Sequence, residues 1–128
     1  MSVDENKAVV RRFLGAISRG GDLELIDELL SPTYVNRGMG NIDRAGLKAM
    51  LSGMEAASDV EIGELIAEHD SVVARTTMNV TLASGKKVAV RAITYYRLAD
   101  GQIVEDDTMT TPDLAQILVD SVPAQASA

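Results

Sequence analysis

Three consecutive acids, Glu105, Asp106 and Asp107, follow an Asp100-Gly101 turn and the apolar pair Ile103-Val104. Acids are poor strand formers, because their charges prefer water and Asp has low β-propensity. Successive side chains of a strand face opposite sides of its sheet. If residues 103–109 form a strand of a half-buried sheet, Asp106 and Asp107 cannot both be solvated alike, and one carboxyl points inward. An inward carboxyl is a candidate general base, or an anchor for a ligand hydroxyl. The same residue can also serve structure alone, as a strand-end acid bonded to a Tyr or an Arg.

Other chemistries are excluded by composition. There is no Cys, which removes disulfides, thiolate metal sites and Cys nucleophiles. His69 is the only His, so one chain cannot build a multi-histidine metal site. No metal or other cofactor is expected. The formal net charge of −7 disfavours nucleic acid, whose binding depends on Lys and Arg neutralising phosphates, and disfavours anionic membranes. The polar opening residues 1–7 lack the apolar stretch of a signal peptide, and no apolar run is long enough to span a bilayer. A cytoplasmic location is the expectation.

The elements that must position these acids are readable from local patterns. Ser2 and Glu5 form a Ser-x-x-Glu capping box ahead of a helix whose face carries Val3, Val10, Phe13, Leu14 and Ile17. Gly20-Gly21 stops it. Asp22 caps a short second helix with Leu25, Ile26, Leu29 and Leu30 as its stripe, and Ser31-Pro32 ends that one. Tyr34-Val35 reads as a short strand and residues 36–42 as a Gly- and Asn-rich loop. Asp43 caps a third helix bearing Leu47, Met50, Leu51 and Met54.

The second half reads as strands. Val60, Ile62 and Ile66 alternate over 60–68, and His69-Asp70-Ser71 is a turn, with His69 on its surface. Strands follow over 72–82, 88–98 and 103–109, joined by short links at 83–86 and 99–102 that make antiparallel hairpins. Thr111 and Pro112 open a last helical turn or two, with Leu114, Ile117 and Leu118 as its stripe. Three helices followed by an antiparallel meander is an α+β arrangement. The helices must cover one face of a curved, cone-shaped sheet, which can hold an apolar pocket. Its 128 residues suffice for one core, and only Phe13, Tyr34, Tyr95 and Tyr96 are aromatic, so that core is aliphatic with Met as gap-filler. One domain over 1–122 with a frayed tail at 123–128 is expected.

Several segments, taken in order, resemble the SnoaL-like branch of the nuclear transport factor 2-like superfamily. They are Val9–Leu14, Gly21-Asp22-Leu23, Leu29–Asn36, Glu64–Arg75 and Tyr96–Glu105. The resemblance covers roughly residues 5–118. It implies a nuclear transport factor 2-like/cystatin-like α+β barrel with a small-molecule pocket and, commonly, a homodimer through the convex sheet face. That face would carry Ile93 and Tyr95.

The resemblance also implies where catalysis would sit. The acid/base of the polyketide cyclases is an Asp five residues after the Ile of the Gly-x-Ile turn, which here is Thr108. A pocket His lies fourteen residues earlier, which here is Thr94. The His of the family's Tyr-x-Asn-His segment is here Arg37, preceded by Tyr34 and Asn36 at pocket-mouth positions. A hydroxyl cannot do the work of a carboxylate base at neutral pH. By alternation, Thr94 and Thr108 facing the pocket would bring Val90, Ala92, Tyr96, Asp106 and Thr110 with them, and send Glu105 and Asp107 the other way.

Two functions follow as expectations. One is an enzyme acting on a carbonyl compound by proton transfer, cyclisation or isomerisation. Asp106 is then the catalytic base, and Tyr34, Asn36, Arg37, Thr94, Tyr96 and Thr108 bind the substrate. The other is a non-catalytic module that binds a small apolar ligand or dimerises. It is favoured by Thr standing at the family's Asp and His positions.

Overall fold

The structure is a computed structural model and describes residues 2–18, 22–53, 57–82, 84–113 and 116–117. The Ser2 hydroxyl accepts from the Glu5 amide and the Glu5 carboxylate from the Ser2 amide, both at 3.1 Å, to open α1 (Val3–Ile17). This capping box satisfies two amides that a helix start leaves without partners. Val10, Phe13 and Leu14 are buried, while Val3 stays exposed at the start of the helix. Asp22 accepts from the Leu25 amide at 3.1 Å and starts α2 (Leu23–Leu29). Asp43 accepts from the Gly46 amide at 2.8 Å and starts α3 (Arg44–Gly53), which buries Leu47 and Leu51. The Gly20-Gly21 stop, Met54, Leu114, Leu118 and the tail at 123–128 lie outside the described residues. Ile117 packs beside the small apolar cluster of Val80 and Val90.

The strands are β1 (Leu30–Asn36), β2 (Ile42–Asp43), β3 (Ala57–Glu68), β4 (Ser71–Thr81), β5 (Lys87–Ala99) and β6 (Gln102–Thr111). They make one sheet in the order β2-β1-β6-β5-β4-β3. From β3 to β6 it is the antiparallel meander that the hairpin turns predict. Asp100 and Gly101 both take positive φ, 52° and 79°, as a two-residue hairpin of that composition requires. At the far end β1 joins β6 in parallel and β2 pairs antiparallel with β1. The architecture is therefore α+β with a curved, mixed sheet that runs from edge to edge without closing.

β1 is longer than the Tyr34-Val35 pair read from sequence. Pro32 lies inside it, in the interval between the Leu30–Ile103 and Val35–Glu105 partners where pairing with β6 is interrupted. Pro, with no amide hydrogen, costs no ladder bond there.

Two bulges decide which side chains face the helices. Gly63 has no partner on β4, because Ile62 pairs with Thr76 and Glu64 with Arg75. The extra residue shifts the alternation by one. Leu65 is thereby turned into the core and Ile66 is 60% exposed, so the single face expected from Val60, Ile62 and Ile66 is split. On β6 the unpaired residue is Val104, since Leu98 pairs with Ile103 and Arg97 with Glu105. Ile103 and Asp106, three residues apart, consequently both point inward. The main core gathers Phe13, Leu14, Ile26, Leu30, Tyr34, Val72, Tyr96 and Ile103. No described helix is long and apolar enough to cross a membrane.

The His69 side chain is exposed at the tip of the β3–β4 hairpin, with φ 54°. Its carbonyl accepts from Asn6 Nδ2 at 3.1 Å, which ties the hairpin to α1 and accounts for a buried Asn that sequence reading does not anticipate.

Candidate active site

A cavity of about 420 Å³ lies between the helices and the inner face of the sheet. Phe13, Leu14 and Ile17 of α1 and Leu47, Met50 and Leu51 of α3 supply an apolar wall. The sheet contributes Ala92, Thr94 and Tyr96 from β5 and Asp106, Thr108 and Thr110 from β6. These are positions that strand alternation puts on one face. Val90, expected there too, is fully buried beside Val80 and does not line the cavity.

Asp106 is 3% exposed. The Tyr34 hydroxyl donates to its Oδ2 at 2.7 Å. Its Oδ1 is buried and has no hydrogen-bond partner among the described residues. Burial pushes the carboxyl up to about 7. The Tyr34 hydrogen bond opposes that shift, and the nearby charges of Asp107 and Glu105 reinforce it. Loss of hydration disfavours the ionised form, while a donor on the carboxylate favours it. Burial, and then the charge of Asp106, push Tyr34 and Tyr96 well above the ordinary phenol range, so both hydroxyls remain donors.

Tyr34 is not a wall of the cavity; it stands behind Asp106 and holds it. Tyr96 is the cross-strand partner of Asp106 and lines the cavity, with its ring edge-on to Phe13 at 6.1 Å. Thr94 and Thr108 are also cross-strand partners, and their hydroxyls meet at 3.0 Å. The two positions that resemblance marks as His and Asp are thus adjacent here, and bonded to one another.

Asn36 lies beside Asp106 in the parallel β1–β6 pairing and lines the cavity. Its Oδ1 accepts from the Met39 amide at 3.0 Å, which folds residues 36–39 into a turn. A Cβ on Gly38 would lie 2.8 Å from the Thr108 carbonyl oxygen and 2.9 Å from its amide nitrogen, so this loop presses directly on the β6 backbone.

Arg37 does not reach the cavity. Its amide donates to the Asp106 carbonyl at 2.8 Å, but its guanidinium turns to Glu105 at 2.7 Å. Arg97 meets the other Glu105 oxygen at 3.2 Å. The two guanidinium groups, Arg37 first, hold Glu105 below the usual carboxylate range. Met39 lines the cavity as a wall residue. Thr76, Met78 and Asp113 also line it and are not foreseen as site residues. Gly38 falls in a loop whose composition signals a turn, and only its tertiary contact with Thr108 reveals it as a wall.

The SnoaL-like domain model matches residues 10–106. The chain belongs to the SnoaL-like family. Solved structures with the same architecture include a protein assigned as a SnoaL-like polyketide cyclase from Jannaschia sp. CCS1. It is 21% identical with a TM-score of 0.73, over 94% of each chain. An LEH-like epoxide hydrolase of M. tuberculosis is 20% identical with a TM-score of 0.75, over 93% of this chain and 92% of its own. TsrD from Streptomyces laurentii is 20% identical with a TM-score of 0.73, over 92% and 97%. At such identities the likeness shows the SnoaL-like fold and leaves the reaction open. No curated protein matches the sequence significantly.

Proposed function

We propose that this SnoaL-like domain is a pocket enzyme that moves a proton on an apolar carbonyl compound, in an isomerisation or cyclisation, with Asp106 as the base. The observation that supports it is the asymmetry of one buried carboxyl. Tyr34 holds Oδ2, while Oδ1 has no partner among the described residues, in a side chain that lines the cavity. A general base works best when its pKa lies near the operating pH. In the proposed step the ionised Asp106 takes a proton from the carbon next to the carbonyl. The electron pair of the broken C–H bond moves to the carbonyl oxygen as an enolate. A hydroxyl of Tyr96, Thr94 or Thr108 donates to that oxygen. The proton then returns to carbon, or the enolate carbon adds to a second carbonyl of the same molecule, whose oxygen receives the electron pair and takes the proton back from Asp106. Asn36 shapes the mouth, and Arg37 has no part in contacting substrate.

The test is exchange of the α-hydrogens of 2-tetralone in D2O, followed by proton NMR. The wild-type chain should accelerate exchange over buffer and Asp106→Asn should not. Equal rates for the two proteins would reject the reading. They would favour a non-catalytic pocket for a small apolar ligand, to which the Thr94–Thr108 bond, where hydroxyls satisfy one another, lends support.

We also propose a homodimer through the outer face of the sheet. Ile66, Ile93, Tyr95 and Met109 are exposed there, at 60%, 50%, 38% and 76%. A cluster of large apolar side chains in water is a common mark of an interface.

A further inference from the structure

We propose that the cavity binds apolar primary amines, with the ammonium group donating to Asp106 Oδ1 and the hydrocarbon body lying among the Met and Leu side chains of the wall. The inference rests on the reading of Asp106 as the carboxyl that serves the cavity, and adds a ligand class that proton transfer does not require. Three observations lead to it.

The first is the charge of the lining. Among the described residues no Lys, Arg or His lines the cavity, whereas Asp106 does so from within and Asp113 from an exposed position. Arg37 and Arg97, the cations nearest in sequence and register, are committed to Glu105. An anionic ligand would find no counter-charge among the described lining residues, and a chain of net charge −7 attracts cations.

The second is the unsatisfied oxygen. Asp106 is 97% out of water, and its Oδ1 has no partner among the described residues. A buried acceptor without a donor is costly, more so when charged. Ketones and ethers offer only acceptors and cannot relieve it. An alcohol offers one neutral donor. An ammonium group offers donors and the opposite charge, and charge-assisted bonds are roughly twice as strong as neutral ones.

The third is the body of the cavity. Met39, Met50 and Met78 bring flexible, polarisable side chains, and Phe13 and Tyr96 bring aromatic surface. Such a wall accepts hydrocarbon of varied shape and tolerates a neighbouring cation.

The groups around Asp106 fix the pH dependence. Tyr34 on β1 and Tyr96 on β5 stay neutral, Glu105 and Asp107 on its own strand carry negative charge, and the lining residues of α1 and α3 include no ionisable side chain. Asp106, which titrates near 7, is then the group whose ionisation creates the partner for an ammonium.

The experiment is isothermal titration calorimetry of the whole chain with three probes on one skeleton: 2-naphthylmethylamine, 2-naphthalenemethanol and 2-naphthoate. At about pH 8, where Asp106 is ionised and the amine is protonated, the amine should bind on the order of tenfold tighter than the alcohol, and naphthoate weakest. At about pH 5.5 the advantage of the amine should vanish, because Asp106 is then neutral. Asp106→Asn should keep the alcohol and lose the preference for the amine; Glu24→Gln, at an exposed acid of α2 that does not line the cavity, should keep both. Should Asp106→Asn fail to fold, the pH comparison on the wild-type chain decides. Equal binding of amine and alcohol at the higher pH, or a preference that Glu24→Gln also removes, would overturn the proposal. Calorimetry needs no turnover, so a failed tetralone exchange leaves this result standing, and the reverse also holds.

Discussion

The Tyr34 hydroxyl donates to Asp106 Oδ2 at 2.7 Å, between two strands that run parallel at the end of an otherwise antiparallel meander. The bond joins a fully buried phenol to a carboxyl on the cavity wall. It engages one carboxyl oxygen, while the other, Oδ1, has no partner among the described residues.

Tyr34→Phe removes the donor that stabilises the ionised carboxyl. A hydrogen bond to a charged group contributes about 1.5–3 kcal/mol, which corresponds to roughly one to two pH units in the titration of Asp106. The variant should fold, and the rising limb of its tetralone exchange profile should move to higher pH by about that amount. An unmoved limb would mean that Tyr34 does not tune the base.

Asp106 should make stability fall as pH rises. Its carboxyl titrates near 7 in the folded chain and about 4 in the unfolded one, so between those values the folded state holds a proton that the unfolded state has lost. The contribution of Asp106 to stability is then highest below about pH 4, declines through the window and levels off above 7, by roughly 2–4 kcal/mol. Urea titrations of the wild type and Asp106→Asn across this range check it. The difference between the two proteins should change with pH in that sense, with Asn favoured at the alkaline end.

Gly38→Ala should be destabilising by about 1–3 kcal/mol, because its Cβ would meet backbone atoms of Thr108 that cannot swing away. Gly15→Ala is the control. Nothing lies within 4 Å of a Cβ there, and the site is inside α1, where Ala is favoured by about 0.5–1 kcal/mol. Denaturation midpoints of the two variants should move in opposite directions.

The local parts of this fold were legible because their causes are local. Ser2, Asp22 and Asp43 cap helices through side chains that reach three residues along the chain, and Asp100-Gly101 makes its turn from its own φ preferences. The inward face of Thr94, Tyr96, Asp106 and Thr108 was legible for the same reason, since strict alternation survives between residues 105 and 110. What was not legible depends on distant partners. The bulges at Gly63 and Val104 exist only against β4 and β5; the first turns Leu65 inward and Ile66 outward, and the second puts Ile103 and Asp106 on one face. Tyr34 and Arg37 were both assigned to the ligand. The parallel register of β1 on β6 puts one behind Asp106 and the other against Glu105.

Ile93→Glu should yield monomers if the outer face makes the proposed dimer. Ile93 pairs with Met109 across β5 and β6, so a buried glutamate would face its image without a partner charge. Light scattering coupled to size exclusion reads the mass. A wild-type mass of one chain, or a dimer that survives the substitution, would remove this face from consideration.

As a cavity carboxyl poised to exchange a proton near neutrality, Asp106 should titrate far from the range of a solvated aspartate. Carbon-13 NMR of the carboxyl groups, assigned by comparison with Asp106→Asn, measures it directly. One resonance, absent from the variant, should titrate with a midpoint near 7. A midpoint near 4, the range of a solvated aspartate, would contradict it.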